Sequence, residues 1–177
     1  YYFLFFAIYI SLWTNYNDKE RDDRVPYSQW VKLGYINAFA GGYINYKKVQ
    51  QYITDNSINN EILAFDRWGS PAIKQNLEDK FNMLDFGQGY RSMSPAINTF
   101  EELLIDKKIV IANNPCLRWM AKNTVALTDD AGNVKYSKRK SRKKIDGIIA
   151  MVMAIGAMFA DREFDYENSL NDYLERF

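Results

Sequence analysis

The sequence predicts an α/β domain: one mixed central sheet covered by helices on both faces, with a β-hairpin near residues 124–138. Three observations predict it. Apolar runs of strand length alternate with segments whose apolar residues recur at helical spacing. Asp129-Asp130-Ala131-Gly132-Asn133 separates two short β-prone stretches, which is a hairpin signal. The chain has 177 residues, 47% of them hydrophobic and 16% aromatic, which suits one domain with one core.

Taken in order, residues 1–10 are aromatic and β-branched without polar relief, the pattern of a strand buried on both faces. A chain rarely opens on such a strand, so residue 1 reads as a cut in a longer polypeptide. Asn17 to Arg24 lacks apolar periodicity and reads as a loop. Pro26 opens a short helix with Tyr27, Trp30 and Val31 on one side, and Gly34 closes it. Gly41-Gly42 marks a turn, and Asn45 caps a helix through Val49 and Ile53. Glu61 to Asp66 is a short apolar strand ending on an acid. A helix over about 71–81 and a strand over 83–86 follow. Ser94-Pro95 reads as the cap and first residue of a helix carrying Ile97, Phe100, Leu103 and Leu104. Lys108 to Ile111 is strand-like, and Pro115 to Lys122 forms a helix. The hairpin strands are Thr124 to Leu127 and Val134 to Tyr136. A long apolar helix from Ile145 and a polar terminal helix over 166–177 complete a single domain.

Composition removes whole classes of chemistry. With no His and one Cys, the chain holds no imidazole base, no Ser–His or Cys–His couple, no internal disulfide and no Cys-based zinc cluster. Hydrolysis would have to run on carboxylates, hydroxyls, Lys or a metal held by oxygen. The apolar runs 1–13 and 147–160 are too short to cross ~30 Å of hydrocarbon, so the reading is an intracellular domain with no membrane partner.

Two acids and one basic run stand out. Asp66 ends a strand, where ligands gather in open α/β sheets, although an acid there can equally cap the next helix or pair with Arg67. Asp146 opens the most apolar helix of the chain, with Ala150, Met153, Ala154 and Ala157 on or near its face; an acid at a helix start also offsets the dipole. Lys135, Lys138, Arg139, Lys140, Arg142, Lys143 and Lys144 put seven cations in ten positions of a chain whose net charge is only +1. Such a run is either a solvated face or a grip for phosphate backbone. Cys116 reads as a small buried hydrophobe.

Five segments, in order, resemble one family: Arg24-Val-Pro-Tyr-Ser-Gln-Trp-Val-Lys-Leu-Gly34, Ala64-Phe-Asp-Arg-Trp-Gly69, Gln88-Gly-Tyr-Arg-Ser-Met-Ser-Pro95, Asn114-Pro-Cys-Leu-Arg-Trp-Met120 with Asn123, and Lys143-Lys-Ile-Asp-Gly-Ile-Ile-Ala150. Over roughly residues 1–160 the chain looks like the C-terminal nuclease domain of the large terminase subunit of tailed bacteriophages. The resemblance implies a ribonuclease H-like fold and metal-dependent cutting of concatemeric phage DNA during packaging, in the host cytoplasm. It further implies two Mg²⁺ or Mn²⁺ ions held by three acids, of which Asp66 matches the second and Asp146 the third. The first belongs to an opening strand expected upstream of residue 1; without it, a fragment would be impaired. Asn45 departs from the Asp that relatives often carry there. Implied partners are double-stranded DNA, the ATPase domain of a parent chain, the portal and the small terminase subunit. The other class of reading is a non-catalytic module that binds DNA or docks on the packaging motor.

Overall fold

The computed structural model describes residues 16–38, 45–56, 62–66, 71–111 and 113–174, with side chains described to residue 160. The expected strand over 1–10 and the turn at Gly41-Gly42 lie outside the described residues. Seven helices and four strands occur within them: α1 Tyr16–Asp23, α2 Tyr27–Lys32, α3 Tyr46–Asn56, β1 Ile62–Phe65, α4 Pro71–Leu77, β2 Asn82–Asp85, α5 Tyr90–Ile105, α6 Pro115–Asn123, β3 Ala126–Thr128, β4 Val134–Tyr136 and α7 Asp146–Leu174.

β1 and β2 pair in parallel, with Ile62 opposite Asn82 and Phe65 opposite Asp85; β3 and β4 form the expected antiparallel hairpin. Side chains alternate across a strand, and two hydrophobic clusters show where each set goes. Leu63 and Met83 pack with Val49, Ile53, Leu77 and Phe81 of the α3–α4 side. Ala64 and Leu84 pack into the main core, which α5 and α7 dominate through Met93, Ile97, Met151, Val152 and Ile155. Helices therefore cover both faces of the β1–β2 pair, the α/β arrangement that the periodicity predicts.

Local chemistry explains the helix ends. Asn114 Oδ1 accepts from the backbone N–H groups of Cys116 (2.9 Å) and Leu117 (3.1 Å), and Pro115 follows at the first helical position. Asn45 Oδ1 caps α3 through Lys48 N at 3.2 Å. Gly34, at φ +76, lets Tyr35 N reach Trp30 O (2.8 Å) and closes α2. In the hairpin turn Gly132 sits at φ +84, and Asp129 Oδ1 accepts from Ala131 N and Asn133 N.

Four local expectations are corrected. Residues 17–23 are helical, not a loop. α1 has no apolar stripe, and polar bonds hold it instead: Tyr27 Oη and Lys143 Nζ both donate to Asp23, and Ser28 N donates to Glu20. α5 begins at Tyr90, not Ser94, so Pro95 lies inside the helix and Ser94 is buried. Ser94 Oγ accepts from Val134 N at 3.0 Å, so the hydroxyl ties α5 to the hairpin rather than capping a helix. Lys108 to Ile111 carries one bridge residue, Ile109, and is not a strand. Lys107 at φ +54 lets Lys108 N reach back to Leu103 O (2.9 Å), which spends this segment on ending α5. Finally, the apolar helix and the polar terminal helix run as one 29-residue helix, α7.

The middle of α7 is closely packed. A Cβ at Gly156 would stand 2.6 Å from two ring carbons of Phe86 and 2.9 Å from Ala96 Cβ, so only glycine lets α7 lie this close to α5 and the end of β2. Cys116 is buried at 1% exposure, and burial pushes its thiol up to about 12. That state is an unreactive apolar filler, as expected.

Candidate active site

Asp66 follows directly on β1. The ladder runs one step beyond the strands, since Phe86 N donates to Phe65 O at 2.8 Å. Strand parity then separates two sides. Phe65 and Asp85 belong to the α4 side, where Lys74 Nζ lies 5.2 Å from the Phe65 ring centroid and 3.4 Å from Asp85 Oδ2. Asp66 and Phe86 belong to the other side, where the Phe86 ring meets Gly156 of α7. Asp66 is half-buried, and Gln88 Nε2 donates to its Oδ2 at 2.9 Å. This amide helps to orient the carboxylate.

Asp146 is the first residue of α7, on the same side of the sheet. It lies ten residues before Gly156, about 15 Å along the helix axis. The two acids share no direct bond. The start of α7 is seated by Ile145, buried at 1% exposure, and by Gly147 N, which donates to Met120 Sδ of α6 at 3.4 Å. The Asp146 side chain itself is 54% exposed and pairs with Lys138 Nζ at 3.0 Å. Lys138 is 48% exposed, so the pair stands in high dielectric and contributes at most about 1 kcal/mol.

The basic segment is a folded loop rather than a loose arm. Two buried serines build it: Ser141 Oγ donates to Ser137 O at 2.7 Å and accepts from Val125 N at 3.1 Å, and Ser137 N bonds Val125 O at 2.9 Å. Ser137 Oγ also accepts from Lys140 N at 3.2 Å. The loop is thereby fastened to the root of the hairpin, and its cations divide into two groups. Lys135 lies 4.3 Å from the Tyr90 ring centroid, Lys138 pairs with Asp146, and Lys143 Nζ donates to Asp23 Oδ1 (2.7 Å) and Asp22 O (3.1 Å). Burial pushes the Asp23 carboxyl up, but hydrogen bonds from Lys143 and Tyr27 and the charges of Lys143 and Lys19 outweigh it and hold it below its ordinary value. Arg139, Lys140, Arg142 and Lys144 are exposed.

Sequence reasoning missed Gln88, Ser137, Ser141 and Asp23. Gln88 lies within a segment that carries the family resemblance, which was the one signal available for it. The serines carried no signal of their own, because their burial depends on the hairpin fold behind them.

Among the described residues no group of three His, Cys, Asp or Glu side chains comes together to hold a metal. Asp66 and Asp146 offer only oxygen donors, which suits hard divalent cations such as Mg²⁺ or Mn²⁺. A cavity of about 560 Å³ lies elsewhere, between α5, α6 and the hairpin, lined by Phe100, Leu117, Tyr136 and Met151 among others; neither acid lines it. No helix among the described residues is long and apolar enough to cross a membrane.

The family model described as terminase large subunit, endonuclease domain, matches residues 1–163. The large terminase subunit of Enterobacteria phage HK97 is 32% identical over 145 residues, covering 79% of this chain and 29% of the relative. Protein YmfN of Escherichia coli K12 is 25% identical over 180 residues, covering 98% of this chain and 38% of that protein. The terminase large subunit of Lactococcus phage SK1 is 22% identical, covering 85% of this chain and 29% of the relative. The crystal structure of the HK97 bacteriophage large terminase superposes with a TM-score of 0.74 at 30% identity, over 84% of this chain and 32% of that one. The chain therefore spans about a third of the length of these relatives.

Proposed function

This chain belongs to the terminase large subunit endonuclease-domain family, and on that premise we propose that it cuts concatemeric phage DNA during packaging, with Asp66 and Asp146 as ligands for divalent cations. The observation that carries the reading is positional. Asp66 ends β1 on the α7-facing side, and Asp146 opens α7 on that same side, so acids 80 positions apart in sequence are directed to one side of the sheet.

Asp66 and Asp146 would hold Mg²⁺ or Mn²⁺, with water and phosphate oxygens filling the remaining positions. A pair of such ions, when bound, supplies an activated water and charge stabilisation for the departing 3′ oxygen. The chain's own groups do the rest. Gln88 orients the Asp66 carboxylate through its 2.9 Å bond. The serine-fastened loop presents Lys135, Lys138, Arg139, Lys140, Arg142, Lys143 and Lys144 to the phosphate backbone. Such contacts fix register without reading sequence. Arg139, Lys140, Arg142 and Lys144 reach furthest, because Lys135 and Lys143 also brace Tyr90 and Asp23. The site works in the host cytoplasm within a longer polypeptide, alongside an ATPase domain, a portal and a small subunit.

The test is Mn²⁺-dependent nicking of plasmid by the full-length protein. Asp66→Asn and Asp146→Asn, each with an unchanged circular dichroism spectrum, should lose more than the ~100-fold typical of outer-shell changes at metal sites. Undiminished nicking by both variants would overturn the site. The ion pair between Lys138 and Asp146 favours one rival, a module that binds DNA without cutting. DNA affinity indifferent to Mn²⁺, with no nicking at any concentration, would select that rival.

A further inference from the structure

Lys138 is placed to do two things that exclude each other. Its ammonium lies 3.0 Å from Asp146 Oδ1, and it belongs to the loop whose exposed cations face solvent. Four neighbours in that loop, Arg139, Lys140, Arg142 and Lys144, are exposed and pair with no acid among the described residues, and Lys143 pairs with Asp23, so Lys138 is the member of the run set against Asp146. The loop cannot carry Lys138 away wholesale, because Ser137 and Ser141 are buried and bonded to Val125. The Lys138 side chain can swing alone, since both members of the pair are about half exposed and the bond is weak.

We propose that Lys138 is a tethered counter-ion for Asp146: it occupies the carboxylate when no divalent cation is bound, and it is displaced toward the DNA backbone when one binds. The inference rests on the reading of Asp146 as a metal ligand. A carboxylate oxygen cannot accept an ammonium at 3.0 Å and coordinate a metal with the same lone pair, so the two cations compete. The competition has two consequences. Lys138 lowers the affinity of Asp146 for a divalent ion. The ion, on binding, adds one cation to the DNA-gripping loop, coupling metal and DNA binding with the reciprocity that linkage requires. Lys138 is thus a positioning residue that acts through Asp146.

Mn²⁺ alone, titrated calorimetrically into full-length protein without DNA, provides a readout separate from cutting. Lys138→Met should bind Mn²⁺ about two- to fivefold more tightly than wild type, the range set by a half-exposed ion pair. Lys138→Arg, which keeps the charge and the reach, should restore wild-type affinity. Arg139→Met removes an equal charge next door and should change the affinity less than Lys138→Met does, which separates a specific pair from the general field of the loop. Equal effects of Lys138→Met and Arg139→Met, or none from Lys138→Met, would overturn the proposal while leaving the metal site standing. Unchanged Mn²⁺ binding in Asp146→Asn would instead remove the metal reading itself. As a second readout, added Mn²⁺ should strengthen DNA binding more in wild type than in Lys138→Met; equal gains in the two proteins would count against displacement.

Discussion

One helix carries a close-packed contact in its middle and a half-exposed ion pair at its first residue. Around Gly156, α7 is pressed against Phe86 and Ala96 so closely that a single added carbon would collide. About 15 Å away, at its first residue, Asp146 stands half in solvent against a lysine that solvent can replace. The contrast teaches how the fold divides its labour. Position is fixed where packing is dry, and the carboxylate is left where charge can be exchanged at little cost. The two acids also differ in their surroundings: Asp66 is half-buried with Gln88 bonded to it, and Asp146 is about half exposed beside Lys138.

The sharpest way to break the comparison is to damage the packed end and ask whether the open end survives. Gly156→Val should destabilise the protein by about 3 kcal/mol, because the Phe86 ring is buried and Ala96 Cβ cannot retreat. Urea unfolding would show it as a lowered midpoint at unchanged slope. A midpoint within experimental error of wild type would mean that the seam yields easily. The next largest effect falls on the loop. Ser141→Ala takes the acceptor from the Val125 N–H and a donor from the buried Ser137 O, at a cost of about 0.5–1.5 kcal/mol. Faster amide exchange confined to residues 125–144, together with weaker DNA binding, is the expected signature. Global loosening instead would mean that the serines support the core.

The smallest effect concerns pH. Asp23 titrates below its ordinary value of 3.8 in the folded protein, so the stability it supplies is complete above that value and fades as pH falls through the folded one. Wild type should therefore exceed Asp23→Asn in stability near neutrality, and the gap should close below about pH 4. A gap that stays constant with pH would show that Lys143 and α1 are held by something other than this carboxylate.

Much of this organisation was legible in the residues. Helical stripes located α3 and α6, the Asp-Asp-Ala-Gly-Asn turn located the hairpin, and strand-length apolar runs located β1 and β2. What stayed hidden was structure held by non-local polar bonds. α1 shows no apolar period because polar bonds to Asp23 anchor its end, one of them from Lys143, far along the chain. Ser94 and Pro95 look like a helix start, and tertiary contact with Val134 turned the serine to another use. The end of α5 was unreadable because a lysine adopts the positive φ that glycine would have announced. Asp66 and Asp146 stood out as candidates from position and family motif. The pairing of each was not legible, since Gln88 and Lys138 lie in segments that stood out but reach the acids only through the tertiary fold.

The account depends on Asp66 and Asp146 serving one cation site. Crystals of the full-length protein soaked in Mn²⁺ and measured at the manganese absorption edge test this most directly. An anomalous peak within bonding distance of carboxylate oxygens from both residues, with Lys138 swung away from Asp146, is the predicted result. Manganese bound to neither acid, with Lys138 still on Asp146 at saturating metal, would contradict it.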